Sequence, residues 1–160
     1  MSTDVAGTVL RPGGPPELRL VSAMMAEGFD PRYGEAWTPN QCLGILSLPG
    51  VWLTLAELDG EPAGFALARV AADEAELLLL TVRPSAQRRG VGGALLRSVI
   101  RDCRDRGAAS LHLEVRAGNG AINLYRREGF RKVGVRRDYY RGSTGNVFDA
   151  HSFSLELHNG

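Results

Sequence analysis

Lysine is nearly absent from this chain: Lys132 is the only one among 160 residues. A Walker A loop, G-x-x-x-x-G-K-[ST], is therefore excluded, because no glycine-rich stretch ends in a lysine. Cysteine is almost as scarce. Cys42 and Cys103 form no C-x-x-C pair and both lie in helix-like text, so they read as structural thiols in a reducing compartment rather than as a disulfide framework. The histidines, His112, His151 and His158, make no metal-ligand spacing with one another or with the cysteines, and no metal is expected. No run approaches the roughly 18 apolar residues of a membrane helix. Met1-Ser2-Thr3-Asp4 is not a basic region followed by an apolar stretch, so a cytoplasmic setting without a membrane partner is expected. Internal repeats and low-complexity tracts are also missing.

What remains is ordinary globular text, 44% hydrophobic and 23% charged. One domain over residues 1–160 is expected, at a size where folding buries roughly 68 to 70% of the unfolded surface and a sizeable core is feasible. Charge is unevenly spread: residues 1–80 hold four arginines against eleven acidic residues, and residues 81–160 hold fifteen basic against seven acidic. A basic second half suits a phosphorylated ligand and equally suits nucleic acid, and a solvated arginine-rich surface is the plain alternative.

Read in order, Gly13-Gly14-Pro15-Pro16 is a turn, and Glu17 to Ala26 is a helix closed by Gly28. Thr38-Pro39-Asn40-Gln41 reads as a helix start, with Thr38 as N-cap, Pro39 in the first turn and Gln41 completing a capping box. That helix ends before Pro49. Val51 to Leu58 and Ala63 to Val70 are strands joined by the hairpin dipeptide Asp59-Gly60, and Ala71 to Glu74 leads into a third strand, Leu77 to Val82. Leu95, Leu96, Val99, Ile100 and Cys103 recur at helical spacing before Gly107, and Leu111, Leu113 and Val115 alternate as a half-buried strand. A strand, helix, strand order predicts a parallel pair. Asn119 to Glu128 is a helix stopped by Gly129, and Phe130 to Tyr139 and Ser152 to Leu157 are late strands.

Gln87-Arg88-Arg89-Gly90-Val91-Gly92 lies between an apolar strand closed by Pro84 and the amphipathic helix. Glycines at the mouth of a helix let backbone approach a ligand closely, and the unpaired first-turn N–H groups with the positive dipole end attract phosphate oxygens. A dinucleotide fingerprint fails, because Gly90-Val91-Gly92-Gly93-Ala94-Leu95 lacks the third glycine. Taken alone, the six residues read equally well as a surface turn.

The pattern Q/R-x-x-G-x-G/A after an apolar strand resembles the acetyl-coenzyme A signature of the GNAT superfamily of N-acetyltransferases. Further segments stand in the order found in its RimI-type members: Asp73-Glu74-Ala75-Glu76-Leu77, Leu80-Thr81-Val82-Arg83-Pro84, Leu113-Glu114-Val115-Arg116, Asn119, Leu124-Tyr125, Gly129-Phe130 and Arg136-Arg137-Asp138-Tyr139-Tyr140. The likeness is dense from about Gly64 to Arg141, and earlier Trp37-Thr38 resembles a tryptophan-serine pair on the family's substrate side. It implies an α/β (α+β) GNAT fold, with a mixed six- to seven-stranded sheet splayed between strands 4 and 5 and flanked by about four helices. It implies acetyl-coenzyme A as co-substrate, without a metal, and direct transfer to a primary amine in a ternary complex.

By the same resemblance the backbone of Leu80, Thr81 and Val82 pairs with pantetheine, the amides of Arg88, Arg89, Gly90, Val91, Gly92 and Gly93 ring the pyrophosphate, and Asn119 contacts the cofactor. Tyr125 matches the proton donor and Glu114 the general base. Tyr139 and Tyr140 match tyrosines that hold a peptide backbone, and Glu35 and Trp37 border the acceptor groove. Each has a plain reading beside it: a core tyrosine, an exposed glutamate, an N-cap asparagine, a packing pair. Asn119 to Tyr125 spans six positions where family members commonly have seven, which shortens the loop by one residue. RimI-type enzymes acetylate the N-terminal amine of a ribosomal protein, so the implied acceptor is a protein or peptide N-terminus. An α-amine of pKa about 7.7 to 8.0 is some 10 to 20% neutral at pH 7, whereas a lysine near 10.4 is neutral at about one part in a few thousand, so a modest carboxylate base suits the α-amine. The competing readings are a GNAT enzyme for a small-molecule amine, a non-catalytic acyl-coenzyme A sensor, and a nucleic-acid-binding module without RNP, KH or helix-turn-helix signature.

Overall fold

Asp59 and Gly60 both adopt positive φ, 53° and 85°, the geometry that a two-residue hairpin between twisted strands demands. They join β3 (Val51–Leu58) to β4 (Glu61–Ala71), which turns back into β5 (Glu74–Val82). The computed structural model describes residues 7–157 and the backbone of Ser2–Thr3; Met1, Asp4 and His158 lie outside the described residues. Two strands precede the expected meander: β1 (Ser2–Thr3) and β2 (Thr8–Gly13), the latter antiparallel to β3. The sequence reading starts at the Gly13-Gly14 turn and omits β2, whose short alternation of buried Thr8 and Leu10 is masked by Pro12 and Gly13.

The helices are α1 (Leu18–Gly28), α2 (Pro39–Leu46), α3 (Val91–Asp105) and α4 (Ala121–Arg127). Thr38 and Gln41 form the expected reciprocal capping box, with Gln41 N–H donating to Thr38 Oγ1 at 3.2 Å and Thr38 N–H to Gln41 Oε1 at 2.8 Å. After α3 the chain enters β6 (Ser110–Arg116), parallel to β5, then runs through α4 to β7 (Arg131–Arg141) and returns as β8 (Val147–Glu156). The sheet order is β1-β2-β3-β4-β5-β6-β8-β7, so β8 inserts between β6 and the outer strand β7. Seven strands have six residues or more, and β1 adds a two-residue edge.

Alternation along β4 divides the core between the two faces of the sheet. Phe65 and Leu67 join Val21, Met24 and Met25 of α1 and Cys42 and Leu46 of α2. Ala66 and Ala68 face the other way, as does Ala63 at the bulge opposite Ala56 and Glu57, and these small side chains let Val91, Ala94, Leu95 and Val99 of α3 settle closely. Helices thus clamp both faces around β5, the strand on which the site depends.

The loop between β7 and β8 seats on the Pro31–Tyr33 turn. Ser143 N–H donates to the Pro31 carbonyl at 3.0 Å, and Tyr33 meets Phe148 edge-on with ring centroids 5.2 Å apart. Gly34 has φ 69°, and a Cβ there would collide with the Arg141 carbonyl. Gly34→Ala is expected to destabilise the protein by about 1 to 3 kcal/mol, through strain and loss of this contact. Chemical denaturation of the variant checks it.

Candidate active site

β5 and β6 pair at Glu74 with Ser110, Ala75 with Leu111 and Glu76 with His112, and then part. From Leu77 to Val82, β5 keeps its ladder to β4 while its other edge faces open space, so its main-chain groups there are available to an extended ligand. The parting opens a cavity of about 1090 Å³ whose walls include both diverging strand ends, the start of α3 and one side of α4. Leu80, Thr81 and Val82 all border it.

The N-terminus of α3 closes one end of the cavity. Arg88 and Gly90 take positive φ, 63° and 83°, and Gly90 as N-cap offers no side chain to the helix. The amides of Val91, Gly92 and Gly93 have no acceptor within the helix, and these residues line the cavity with Arg88 and Gly90. A side chain at Gly92 would press on Leu124 of α4 at 3.3 Å, so glycine keeps this mouth open. Arg89, whose amide is expected in the same ring, turns its guanidinium outward to Asp59 at 3.4 Å, and the residue does not line the cavity.

Glu114 and Tyr125 come to the same cavity from β6 and α4. Glu114 Oε1 pairs with Arg136 Nε at 3.0 Å, and its Oε2 accepts from Ser152 Oγ at 2.5 Å. Neither partner is foreseeable from sequence, because both depend on β8 slotting between β6 and β7, which sets Ser152 opposite Glu114. Tyr125 is 6% exposed and packs edge-on against Phe130 at 5.8 Å. Burial, with Glu35 adding, pushes its hydroxyl well above the usual phenol range. The site does not acidify this phenol; it keeps it protonated.

Tyr140 and Tyr139 line the cavity as well, stacked edge to face at 4.9 Å. The Tyr140 hydroxyl reaches the Glu114 carbonyl at 3.5 Å, and burial, then Glu35 and Tyr139, push its pKa upward as well. Trp37 and Glu35 border the cavity, Trp37 N–H resting on Met25 Sδ at 3.3 Å. Glu35 is deeply placed, its side chain 9% exposed beside Arg116 at 14%. Its oxygens accept from Arg116 Nε at 3.1 Å and from Asn119 Nδ2 at 2.8 Å, while the Arg116 guanidinium lies 3.7 Å over the Tyr33 ring. Asn119 Oδ1 in turn accepts from Ala121 N–H at 2.9 Å, capping α4 from one residue ahead of Gly120, the N-cap position.

Neither cysteine reaches the cavity. Cys103 is fully buried on the core face of α3, and burial, aided by Asp102, pushes its thiol from 9.0 up to about 12. An acyl-cysteine route has no nucleophile here. The shift has a consequence for stability. The unfolded chain releases the Cys103 proton first, so this contribution is whole below pH 9 and fades as pH rises towards 12. Between pH 8 and pH 10 the protein is expected to lose about 1.4 kcal/mol more than its Cys103→Ala variant, read from urea unfolding at the two pH values.

Residues 20–130 match the acetyltransferase (GNAT) family. The chain belongs to that family. Among its GNAT relatives, the ribosomal protein bS18-alanine N-acetyltransferase of Escherichia coli (strain K12) is 46% identical over 88 residues, 54% of this chain and 60% of the relative. The match thus spans less than two thirds of that relative's length. The N-alpha-acetyltransferase RimI of Mycobacterium tuberculosis is 34% identical over 133 residues, covering 80% of this chain and 79% of the relative. The crystal structure of the Escherichia coli ribosomal-protein-S18-alanine N-acetyltransferase superposes with a TM-score of 0.84 at 29% identity, over 96% of each chain. The mixed sheet, its parallel central pair and the four helices are the GNAT fold.

Proposed function

We propose that the protein transfers an acetyl group from acetyl-coenzyme A to the N-terminal α-amine of a protein or peptide, a ribosomal protein being the foremost candidate, directly between two substrates held together. The observation that carries this reading is the parting of β5 from β6, which brings a free strand edge, a helix mouth of unsatisfied amides, a carboxylate and a protonated phenol to one cavity. Acetyl-coenzyme A supplies an activated thioester at one end and, towards the other, a pyrophosphate and a ribose phosphate.

On the cofactor side, the β5 edge at Leu80, Thr81 and Val82 orients the extended arm, and a main-chain N–H there stabilises charge developing on the thioester oxygen. Val91, Gly92 and Gly93 direct their amides, and the α3 dipole its positive end, at the pyrophosphate, with Arg88 beside them. On the acceptor side Glu114, held by Arg136 and Ser152, takes the amine proton directly or through water. Tyr125 gives its proton to the departing sulfur. A phenol raised above its ordinary value of about 10 is a poorer acid than a thiol near 8.5, so the proton moves as the C–S bond breaks and not before.

Tyr139, Tyr140 and Trp37 wall the side of the cavity assigned to the peptide end, with Tyr33 of the Pro31–Tyr33 turn beside them. Among the described residues no helix is long and apolar enough to cross a membrane, and a cytoplasmic setting fits a ribosomal acceptor. The test is a panel of peptides with free N-terminal alanine, serine or methionine, run with acetyl-coenzyme A against polyamines and aminoglycosides. The peptides are expected to be acetylated at the α-amine, as shown by mass spectrometry. Turnover of the small amines alone would replace this reading by the small-molecule one, and coenzyme A binding without any turnover would replace it by an acyl-coenzyme A sensor.

A further inference from the structure

Both carboxylate oxygens of Glu35 are occupied, one by Arg116 and one by Asn119, in a pair of side chains almost closed to solvent. A carboxylate so engaged is held in one orientation, unlike one at a mobile surface. What it holds is the start of α4. That helix has seven residues, too few to stand alone, and glycine at its N-cap supplies no side-chain acceptor for the first-turn amides. Asn119 Oδ1 fills the gap by accepting from Ala121 N–H. It does so only while the amide keeps its oxygen towards Ala121, which leaves Nδ2 needing an acceptor, and Glu35 Oε2 is that acceptor. Arg116 completes the arrangement by stacking on Tyr33, whose ring meets Phe148 of β8. The chain of contacts therefore runs from the acceptor lip to the helix carrying Tyr125.

We propose that Glu35 is a positioning residue that acts through Asn119: it sets the asparagine amide, the amide sets the first turn of α4, and that turn seats the Tyr125 hydroxyl in the cavity. Asn119 is then a strut in this protein where the resemblance implied a cofactor contact, one of its two Nδ2 protons being engaged by Glu35. The loop between Asn119 and Tyr125, one residue shorter than the family's common spacing, fits the change, since it draws Asn119 onto the helix start. The reading rests on the acetyl transfer proposed above for its catalytic half only.

The test exchanges donor and acceptor across the contact. Glu35→Gln alone places an NH2 group against the Asn119 NH2 group, and Asn119→Asp alone sets two carboxylates face to face. In the double variant the carboxylate introduced at position 119 accepts from both Ala121 N–H and the amide introduced at position 35. The oxygen of that amide still receives Arg116, so every hydrogen bond returns. Each single variant is expected to lower kcat by about 10-fold to 100-fold, the scale of a misplaced catalytic group, with acetyl-coenzyme A Kd changed less than about threefold. The double variant is expected to recover most of both kcat and Tm, and the acidic limb of its pH profile is expected to match the parent. Failure of the double variant to recover either quantity overturns the proposal, as does an Asn119→Asp variant whose only defect is weaker acetyl-coenzyme A binding. If the parent itself transfers no acetyl group, recovery of Tm in the double variant still upholds the strut, and the failure belongs to the functional reading.

Discussion

Tyr125→Phe is expected to lower kcat by about 10²-fold to 10⁴-fold, the range of a general acid, with acetyl-coenzyme A affinity nearly unchanged. The substitution deletes one hydroxyl from a ring that is 6% exposed and keeps the edge contact with Phe130 at 5.8 Å. Folding should survive, so the loss reads on chemistry. Because burial drives the phenol's pKa upward, Tyr125 stays protonated across the working range, and the alkaline limb of the parent's rate profile is not expected below about pH 10 on its account. Steady-state kinetics with a peptide acceptor measure it; unaltered turnover would remove the acid role from Tyr125 altogether.

The second large effect is expected at Glu114. Glu114→Gln keeps the shape and one acceptor for Ser152 or Arg136 but removes the base, and kcat/KM at pH 7 should fall by about 10²-fold or more. The deficit should shrink on raising the pH to 9. An α-amine of pKa about 7.7 to 8.0 then passes from about one fifth neutral or less to mostly neutral without help. A deficit that stays constant between pH 7 and pH 9 would show that Glu114 positions the acceptor and does not take its proton.

Local signals carried much of the fold. Thr38 and Gln41 announce their capping box, Asp59-Gly60 its hairpin, and the stripe through Leu95, Val99 and Cys103 buries as its period requires. Strand β2 escaped because Pro12 and Gly13 read as a turn, and its place is decided by pairing with β3, distant in the chain. The β8 start at Val147 was hidden for a related reason: its outer half pairs with an edge strand whose bulges between Arg136 and Tyr140 break the two-residue period. In the site, the residues proposed as anion loop, acid and base lie in linear motifs, so sequence reaches their places at the cavity. The partners that orient those groups are not. Arg136 and Ser152 meet Glu114 through strand insertion, and Arg116 and Asn119 meet Glu35 from the far half of the chain. The acidic first half and basic second half meet at that last contact, where Glu35 of one pairs with Arg116 of the other.

The central claim is that the amides at the start of α3 and along the free edge of β5 receive coenzyme A. Amide nitrogen and proton resonances, followed while coenzyme A is titrated into the folded protein, test it residue by residue. The largest changes are expected at Val91, Gly92 and Gly93 and at Leu80 and Val82, whose N–H groups lie on the β5 edge away from β4. Saturating, millimolar coenzyme A that leaves those five amides unmoved would contradict the account, whatever else in the protein it shifts.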